Sequence, residues 1–286
     1  MIYIKKMKSI LILGASGYIG RNLTLNLLKS FKVVSIKFGS GKYMENIVKN
    51  KNFFFFEYNN SYRKLLAFIR KHKPYLMINC AGKYINTNNG NEINKLLEAN
   101  LSNITNVINA AVNSGCKNII NTGTIWQYQK KRKCPVNFYA ATKDSLENIL
   151  NFYQNQFNLK IINLYLSDTY GPNDDRNKLI SVIERSIRKN ELLVLTNKKK
   201  ILDYIHIEDL VELYLEIIIK LTKLKKTNIF YRYFPRGERI YMKEIINMII
   251  KKKIRLNYKW SKSNPNRKYE NLNPSILNLN FQLHWK

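Results

Sequence analysis

Apolar positions along this chain recur with two periods, and the switches between them mark out its elements. Residues 9–13 form a short apolar run of strand type, and 19–30 carry apolar residues at helical spacing. Residues 32–38 read as a second strand. Residues 52–58, with four consecutive phenylalanines, read as a third strand buried on both faces. Residues 61–72 are helical, and Pro74 ends that helix because it has no N–H to donate. A fourth strand at 75–80, one long helix at 92–114, a fifth strand at 117–121, a helix at 139–155 and a sixth strand at 160–166 complete the series. Strands that alternate with helices require crossover connections. The expected fold is therefore α/β, a doubly wound parallel sheet with helices on both faces. After Gly171-Pro172 the alternation loosens into helices near 178–189, 207–224 and 242–250 with short strands between them. The tail, 261–286, is rich in Asn, Lys and Pro and poorly periodic. The expected organisation is a domain over 1–170 and a smaller C-terminal lobe, mainly 171–286, interleaved with it.

The chain has 286 residues, 45% of them hydrophobic, which is enough for an ordinary core. No uncharged apolar run reaches the ~18 residues of a membrane span. Residues 1–8 are short and basic and lead straight into a strand, so no signal peptide is expected. Cys80, Cys116 and Cys134 are odd in number and have no paired spacing, which fits a reducing cytoplasm and gives no zinc pattern. His72, His206 and His284 show no spacing for a metal or a triad, so no metal is expected. The formal charge of +30, from 49 Lys+Arg against 19 Asp+Glu, has three readings. Abundant Lys, Asn, Ile and Tyr point to A/T-rich coding and a generally basic surface. The alternatives are a field that favours a doubly anionic substrate and a surface for nucleic acid or an anionic membrane.

Candidate chemistry begins at Gly14-Ala15-Ser16-Gly17-Tyr18-Ile19-Gly20, between the first strand and the first helix. A dinucleotide pyrophosphate needs a tight turn, a close backbone approach and a helix N-terminus whose N–H groups point at it. Glycine supplies the first two. Ser16, Tyr18 and Ile19 stand with Gly14, Gly17 and Gly20 as candidate cofactor contacts. The end of the second strand reports which dinucleotide binds, since a carboxylate there holds a ribose 2′-OH and repels a 2′-phosphate. After Val33 no acid appears before Glu45, while Lys37, Ser40 and Lys42 could hold a phosphate. NADP(H) is therefore expected over NAD(H).

Tyr139 and Lys143 lie four residues apart, on one face of the same helix. Reduction or oxidation of a carbonyl or hydroxyl carbon needs a group that exchanges a proton with the substrate oxygen. A phenol titrates near ~10, and a neighbouring ammonium together with the nicotinamide's positive charge is expected to lower that value. Ahead of this pair runs Gly115-Cys116-Lys117-Asn118-Ile119-Ile120-Asn121-Thr122-Gly123-Thr124.

Together these motifs resemble the short-chain dehydrogenase/reductase superfamily. The closest likeness is to its extended branch, the NAD-dependent epimerase/dehydratase family, over most of residues 8–250. The resemblance implies a Rossmann-type fold whose smaller C-terminal lobe holds the substrate. It gives Thr124 the role of hydroxyl partner to the substrate oxygen, with Thr122 as second choice, beside Tyr139 and Lys143. Asn79-Cys80-Ala81-Gly82 resembles the fourth-strand end beside the cofactor, and Asn100 matches a helix Asn that braces the lysine through water. A solvent-facing Asn100 is the other reading. Tyr170-Gly171-Pro172 resembles the segment where nicotinamide and sugar meet, and Asp203-Tyr204-Ile205-His206-Ile207-Glu208-Asp209 resembles a late family signature. Two departures stand out. Leu202 replaces an Arg that contacts nucleotide phosphate, with Lys200 as a stand-in, and Asp168 replaces an Asn. Ile125-Trp126 follow Thr124 where 4,6-dehydratases carry Asp-Glu, so water elimination is not expected. Trp126-Gln127-Tyr128 instead resembles nucleotide-sugar 4-ketoreductases of deoxysugar synthesis, the CDP-paratose and abequose synthase-like group. For Trp126 a core position is the other reading.

The expected activity is NADP-dependent reduction of a 4-keto nucleotide-linked deoxysugar with Tyr139 as general acid, with Trp126, Asp168 and Lys200 at the substrate. The alternatives are an NAD-dependent nucleotide-sugar epimerase and a noncatalytic dinucleotide- or RNA-binding protein. The expected partner is the nucleotide sugar, with no membrane, no nucleic acid and a homodimer allowed for.

Overall fold

A computed structural model describes residues 8–39, 41–85, 89–129, 132–196, 198 and 200–261. The basic N-terminus, Ser40 and the tail beyond 261 lie outside them. Seven strands form the central sheet: β1 (Ser9–Leu13), β2 (Lys32–Lys37), β3 (Phe53–Glu57), β4 (Leu76–Asn79), β5 (Asn118–Thr124), β6 (Lys160–Leu166) and β7 (Ile229–Tyr233). Their spatial order is β7-β6-β5-β4-β1-β2-β3, all parallel. This is the doubly wound Rossmann arrangement. The chain reverses direction across the sheet between β1 and β4, and ligands of such sheets bind outside the strand C-termini at that point.

Helices cover both faces because the inner strands are apolar on both sides. One cluster joins Ile10, Ile12, Ile78 and Ile120 to the helices Tyr18–Leu27 and Ile207–Lys223. The other joins Leu11, Leu13, Met77 and Ile119 to Tyr62–His72, Asn103–Asn113 and Phe138–Phe157. A third cluster, including Ile183, Leu195, Leu202, Tyr204, Met242 and Ile246, lies under the helices Leu179–Lys189 and Met242–Lys251. Late residues serve both regions, since β7 joins the central sheet and the helix Ile207–Lys223 packs on it, while the strands Leu193–Leu195, Ile201–His206 and Glu238–Tyr241 form separate small sheets.

The phenylalanine-rich strand departs from expectation. β3 closes the edge of the sheet, so Phe53 is buried while Phe55 is 40% exposed. An edge strand has a neighbour on one side only, and its outward residues meet water. The long helix also breaks into Gly90–Leu97, a π-helical turn at Glu98–Ser102 and Asn103–Asn113. β5 runs on to Thr124, three residues beyond the periodic apolar run.

Candidate active site

A cavity of about 650 Å³ opens at the C-terminal ends of β1, β4, β5 and β6. The glycine turn forms one wall. A Cβ on Gly14, whose φ is +81°, would lie 2.7 Å from Ala81 N, and one on Gly20 would lie 2.0 Å from Gly14 O. These two glycines let β1, β4 and the first helix meet. Gly17 is the exposed N-cap of the helix Tyr18–Leu27, whose first turn carries no acid. Its open N–H groups and positive dipole end suit an anion, so the cradle fits a dinucleotide pyrophosphate. Ser16, Gly17, Tyr18 and Ile19 line the cavity, as do Cys80, Ala81 and Gly82 across from them.

Thr124, Tyr139 and Lys143 all line this cavity. Asn137 caps their helix by accepting the Ala140 N–H at 2.8 Å, which fixes where the helix begins relative to β5. Lys143 is 3% exposed, and its Nζ donates to Ala81 O at 2.8 Å and Thr122 O at 3.1 Å. Gly82 leaves room for it, since a Cβ there would lie 2.8 Å from Nζ. Burial lowers the Lys143 amine to about 8. Burial raises the Tyr139 phenol to about 12, and the Asp168 carboxylate and Tyr84 add to this. The shift is opposite to the expected one. The Lys143 ammonium is spent on two carbonyls, and the acid nearby is Asp168. Between the two threonines, Thr122 shares a 2.6 Å hydrogen bond with the buried Tyr214 hydroxyl. Thr124 Oγ accepts one 3.3 Å bond from Trp126 N–H, which leaves the hydroxyl proton to donate.

Gly14 and Gly20 shape the turn without lining the cavity, and Asn79, Asn100 and Lys37 also stand off its wall. Asn79 is buried and turned along the sheet, donating to Asn121 Oδ1 at 2.7 Å and accepting from Ala81 N–H at 3.1 Å. Asn100 is buried rather than in solvent. The π-helical turn carries it into the interior, where it bonds Lys83 N and O at 2.7 and 3.0 Å and Thr142 Oγ1 at 3.0 Å. Lys37 pairs with Glu57 of the adjacent strand at 2.6 Å.

The cavity also gathers Tyr84, Arg176, Lys178 and Arg239, which carried little sequence signal. Tyr84 stands edge-on to Trp126 at 5.8 Å and to Tyr139 at 5.3 Å. Asp168 pairs with Lys178 at 2.8 Å, and the Lys178 ammonium lies 5.8 Å from the Tyr84 and Trp126 ring centres. Arg176 stacks over the Tyr18 ring at 4.3 Å and grips Asp174 and Thr169. Lys200 and Leu202 reach the cavity with Arg239, which the antiparallel strand Glu238–Tyr241 sets opposite Asp203, 3.4 Å from its carboxylate.

A doubly wound sheet, a glycine cradle at its switch point and a Thr–Tyr–Lys set beside it define an NAD(P)-dependent enzyme. The profile of the NAD dependent epimerase/dehydratase family matches residues 10–230, and the chain belongs to that family. It is similar to the CDP-abequose synthase of Yersinia pseudotuberculosis, 29% identical over 213 residues that cover 73% of this chain and 72% of the relative. Salmonella typhimurium CDP-abequose synthase is 25% identical over 215 residues, covering 73% and 69%. In fold, the chain is similar to Bacillus cereus UDP-glucuronic acid 4-epimerase, with a TM-score of 0.76 at 20% identity over 89% of this chain and 86% of that one. Thermotoga maritima UDP-glucose 4-epimerase gives a TM-score of 0.76 at 18% identity, over 91% and 87%. Among the described residues no helix is long and apolar enough to cross a membrane.

Proposed function

We propose that this chain reduces a 4-keto deoxysugar carried on a nucleotide diphosphate, with NADPH as the electron donor and Tyr139 as the general acid. The observation that carries this reading is the cavity lining, which sets Ile125 and Trp126, and no acid, directly after Thr124 beside Tyr139 and Lys143. Burial and the Asp168 carboxylate hold the proton on Tyr139, with a pKa of about 12. Ketone reduction consumes that proton at the substrate oxygen. When bound, the nicotinamide dinucleotide supplies the hydride. Thr124 donates a hydrogen bond to the same oxygen, and Lys143 holds the floor of the site through Ala81 and Thr122. Tyr84 and Trp126 present an apolar wall that suits the deoxygenated face of a sugar. Lys200 and Arg239 suit the diphosphate, with Arg239 reaching from the neighbouring strand where Leu202 has no charge. Lys178 offsets the Asp168 carboxylate, so the site tolerates an anion there. Likeness to two CDP-abequose synthases supports the deoxysugar class. Cys80, Cys116 and Cys134 are all free thiols, in keeping with a reducing cytoplasm.

The test is to incubate the protein with NADPH and CDP-, dTDP- and GDP-linked 4-keto-6-deoxyhexoses, following loss of reduced-nicotinamide absorbance. Oxidation with at least one of them is expected. Interconversion of substrates with no net NADPH loss assigns an epimerase instead, and a folded, NADPH-binding protein inert across the panel has another substrate class.

NADP(H) is the preferred dinucleotide in this reading because β2 ends without an acid and Lys37 stands at its end. Glu57 competes for that ammonium. Glu57→Gln should therefore raise the ratio of NADP(H) to NAD(H) affinity, and Lys37→Asp should lower it. Equal wild-type affinities, or a ratio unmoved by both changes, count against the assignment.

A further inference from the structure

The buried carboxylate of Glu147 is the least expected group in the molecule. It lies on the helix of Tyr139 and Lys143, one turn further along the same face, and its side chain is 0% exposed. Charge at such depth is costly unless it is fully paired. Arg232 Nε of β7 donates to its Oε1 at 2.7 Å, and Lys133 Nζ lies 3.4 Å away. Its Oε2 accepts from the Tyr165 hydroxyl at 2.5 Å, from Gln127 Nε2 at 3.1 Å and from Asn163 Nδ2 at 3.3 Å.

Two amide chains start from that oxygen. A carboxylate only accepts, so each amide that meets it must turn its NH₂ toward it and its carbonyl away. Along the first chain, Asn163 Oδ1 accepts from Asn121 Nδ2 at 2.6 Å, and Asn121 Oδ1 accepts from Asn79 Nδ2 at 2.7 Å. Asn79 Oδ1 then accepts the backbone N–H of Ala81 at 3.1 Å. The three asparagines face one another in register across β4, β5 and β6. Along the second chain, Gln127 Oε1 accepts the backbone N–H of Thr124 at 2.9 Å. Gly123 makes room for that amide, since a Cβ there would lie 2.7 Å from Gln127 Oε1. The two chains end on the backbone of Ala81, whose carbonyl holds Lys143, and on that of Thr124.

We propose that Glu147 is a positioning residue that, through Gln127 and the Asn163–Asn121–Asn79 ladder, fixes the spacing of Thr124, Tyr139 and Lys143. This rests on the reading of those three as the reacting set, but not on which sugar is reduced. One carboxylate sets the direction of every bond in both chains, so the strand ends and the helix are locked together. A volume-conserving hydrophobic core would hold them with no such direction.

The test compares kcat, KM and cofactor affinity in Gln127→Met, Gln127→Glu, Glu147→Gln and the exchange Gln127→Glu/Glu147→Gln. Misplacing reacting groups by about 1 Å costs about 100-fold. Gln127→Met and Glu147→Gln should lower kcat by ~10–100-fold with near-normal KM and cofactor affinity. Gln127→Glu should be worse, since it sets two carboxylates face to face beside a third, that of Asp144, to which Gln127 Nε2 also donates at 3.3 Å. The exchange removes the facing carboxylates and gives positions 127 and 147 one donor and one acceptor again, so the chain to the Thr124 N–H regains its direction; the asparagine chain must reverse and meets the Ala81 N–H with the Asn79 NH₂, so the recovery is partial. The exchange should recover kcat to at least ten times that of Gln127→Glu, by a rough reading of the same sensitivity. Folded single variants with wild-type kcat, or an exchange no better than Gln127→Glu, overturn the proposal. If Glu147→Gln does not fold, Gln127→Met decides, because it leaves the carboxylate and its cations in place. If the wild-type protein reduces none of the 4-keto sugars, the sugar assignment fails and amide hydrogen exchange decides this one. The Thr124 N–H should then exchange at least about tenfold faster in Gln127→Met, as expected for an amide that has lost its acceptor, and an unchanged rate overturns it.

Discussion

Tyr139→Phe is expected to bind cofactor like the wild type and to turn over at least ~100-fold more slowly, the usual contribution of a positioned general acid. The substitution removes one hydroxyl and nothing else. The ring keeps its edge-to-face contact with Tyr84, at 5.3 Å between centres. The glycine cradle that fits the pyrophosphate belongs to β1 and the first helix and does not depend on the phenol. Loss of kcat at unchanged cofactor affinity is the signature of a proton delivered in the transition state. The pH dependence carries a second expectation. A phenol with a pKa of about 12 is protonated throughout the neutral range, so its titration should not shape the wild-type reduction profile below strongly alkaline pH. A Tyr139→Phe enzyme with wild-type turnover on its true substrate would remove Tyr139 from the mechanism.

The elements were legible where periodicity was strong. β1 and β6 end where the apolar runs end, and the glycine turn lies where the first helix starts. The expectation failed where burial depends on a neighbour the sequence does not name. Four phenylalanines read the same on an edge strand as on a central one, because local pattern is silent about strand order. The π-helical turn at Glu98–Ser102 was hidden for a related reason. One extra residue in a turn leaves the apolar stripe almost intact, yet it rotates Asn100 into the interior. In the site, Thr124, Tyr139 and Lys143 were visible as a spaced set, and the cavity gathers them. Arg239 and Lys178 were not visible. Each owes its place to a register or an ion pair formed with a distant residue, Asp203 for one and Asp168 for the other. Glu147 carried a faint signal, four residues after Lys143 and so on the same helix face. Its partners came from four other elements: Arg232 from β7, Asn163 and Tyr165 from β6, Gln127 from the turn Ile125–Gln127 and Lys133 from the short strand Arg132–Lys133. The sequence shows which residue types could do the chemistry, and tertiary contacts decide which of them are held in place to do it.

Lys143→Ala should impair both turnover and cofactor binding, because the ammonium sits between the carbonyls of Ala81 and Thr122 at the floor of the cavity. Replacing Lys143 should also leave a pH-dependent mark on stability. Burial lowers Lys143 from 10.5 to about 8, so the folded state binds this proton less tightly than the unfolded chain does. At neutral pH that difference costs the folded protein about 3 kcal/mol, at about 1.4 kcal/mol per pKa unit. The cost is fully present below pH 8 and fades as the pH rises toward 10.5, because over that window the unfolded chain holds more protons. Wild-type stability should therefore gain on that of Lys143→Met as the pH rises from 8 to 10.5. Methionine fills similar space but has no proton to lose, and every other titrating group is common to both proteins. The absolute offset between them also includes two carbonyls left without a donor, each worth about 1–3 kcal/mol, and varies with how the site relaxes. The slope of the difference does not depend on that offset. Thermal or denaturant unfolding of both proteins across this range measures it. Parallel stability curves would mean that Lys143 titrates normally in the folded state, and that its ammonium is not the buried charge on which the site is built.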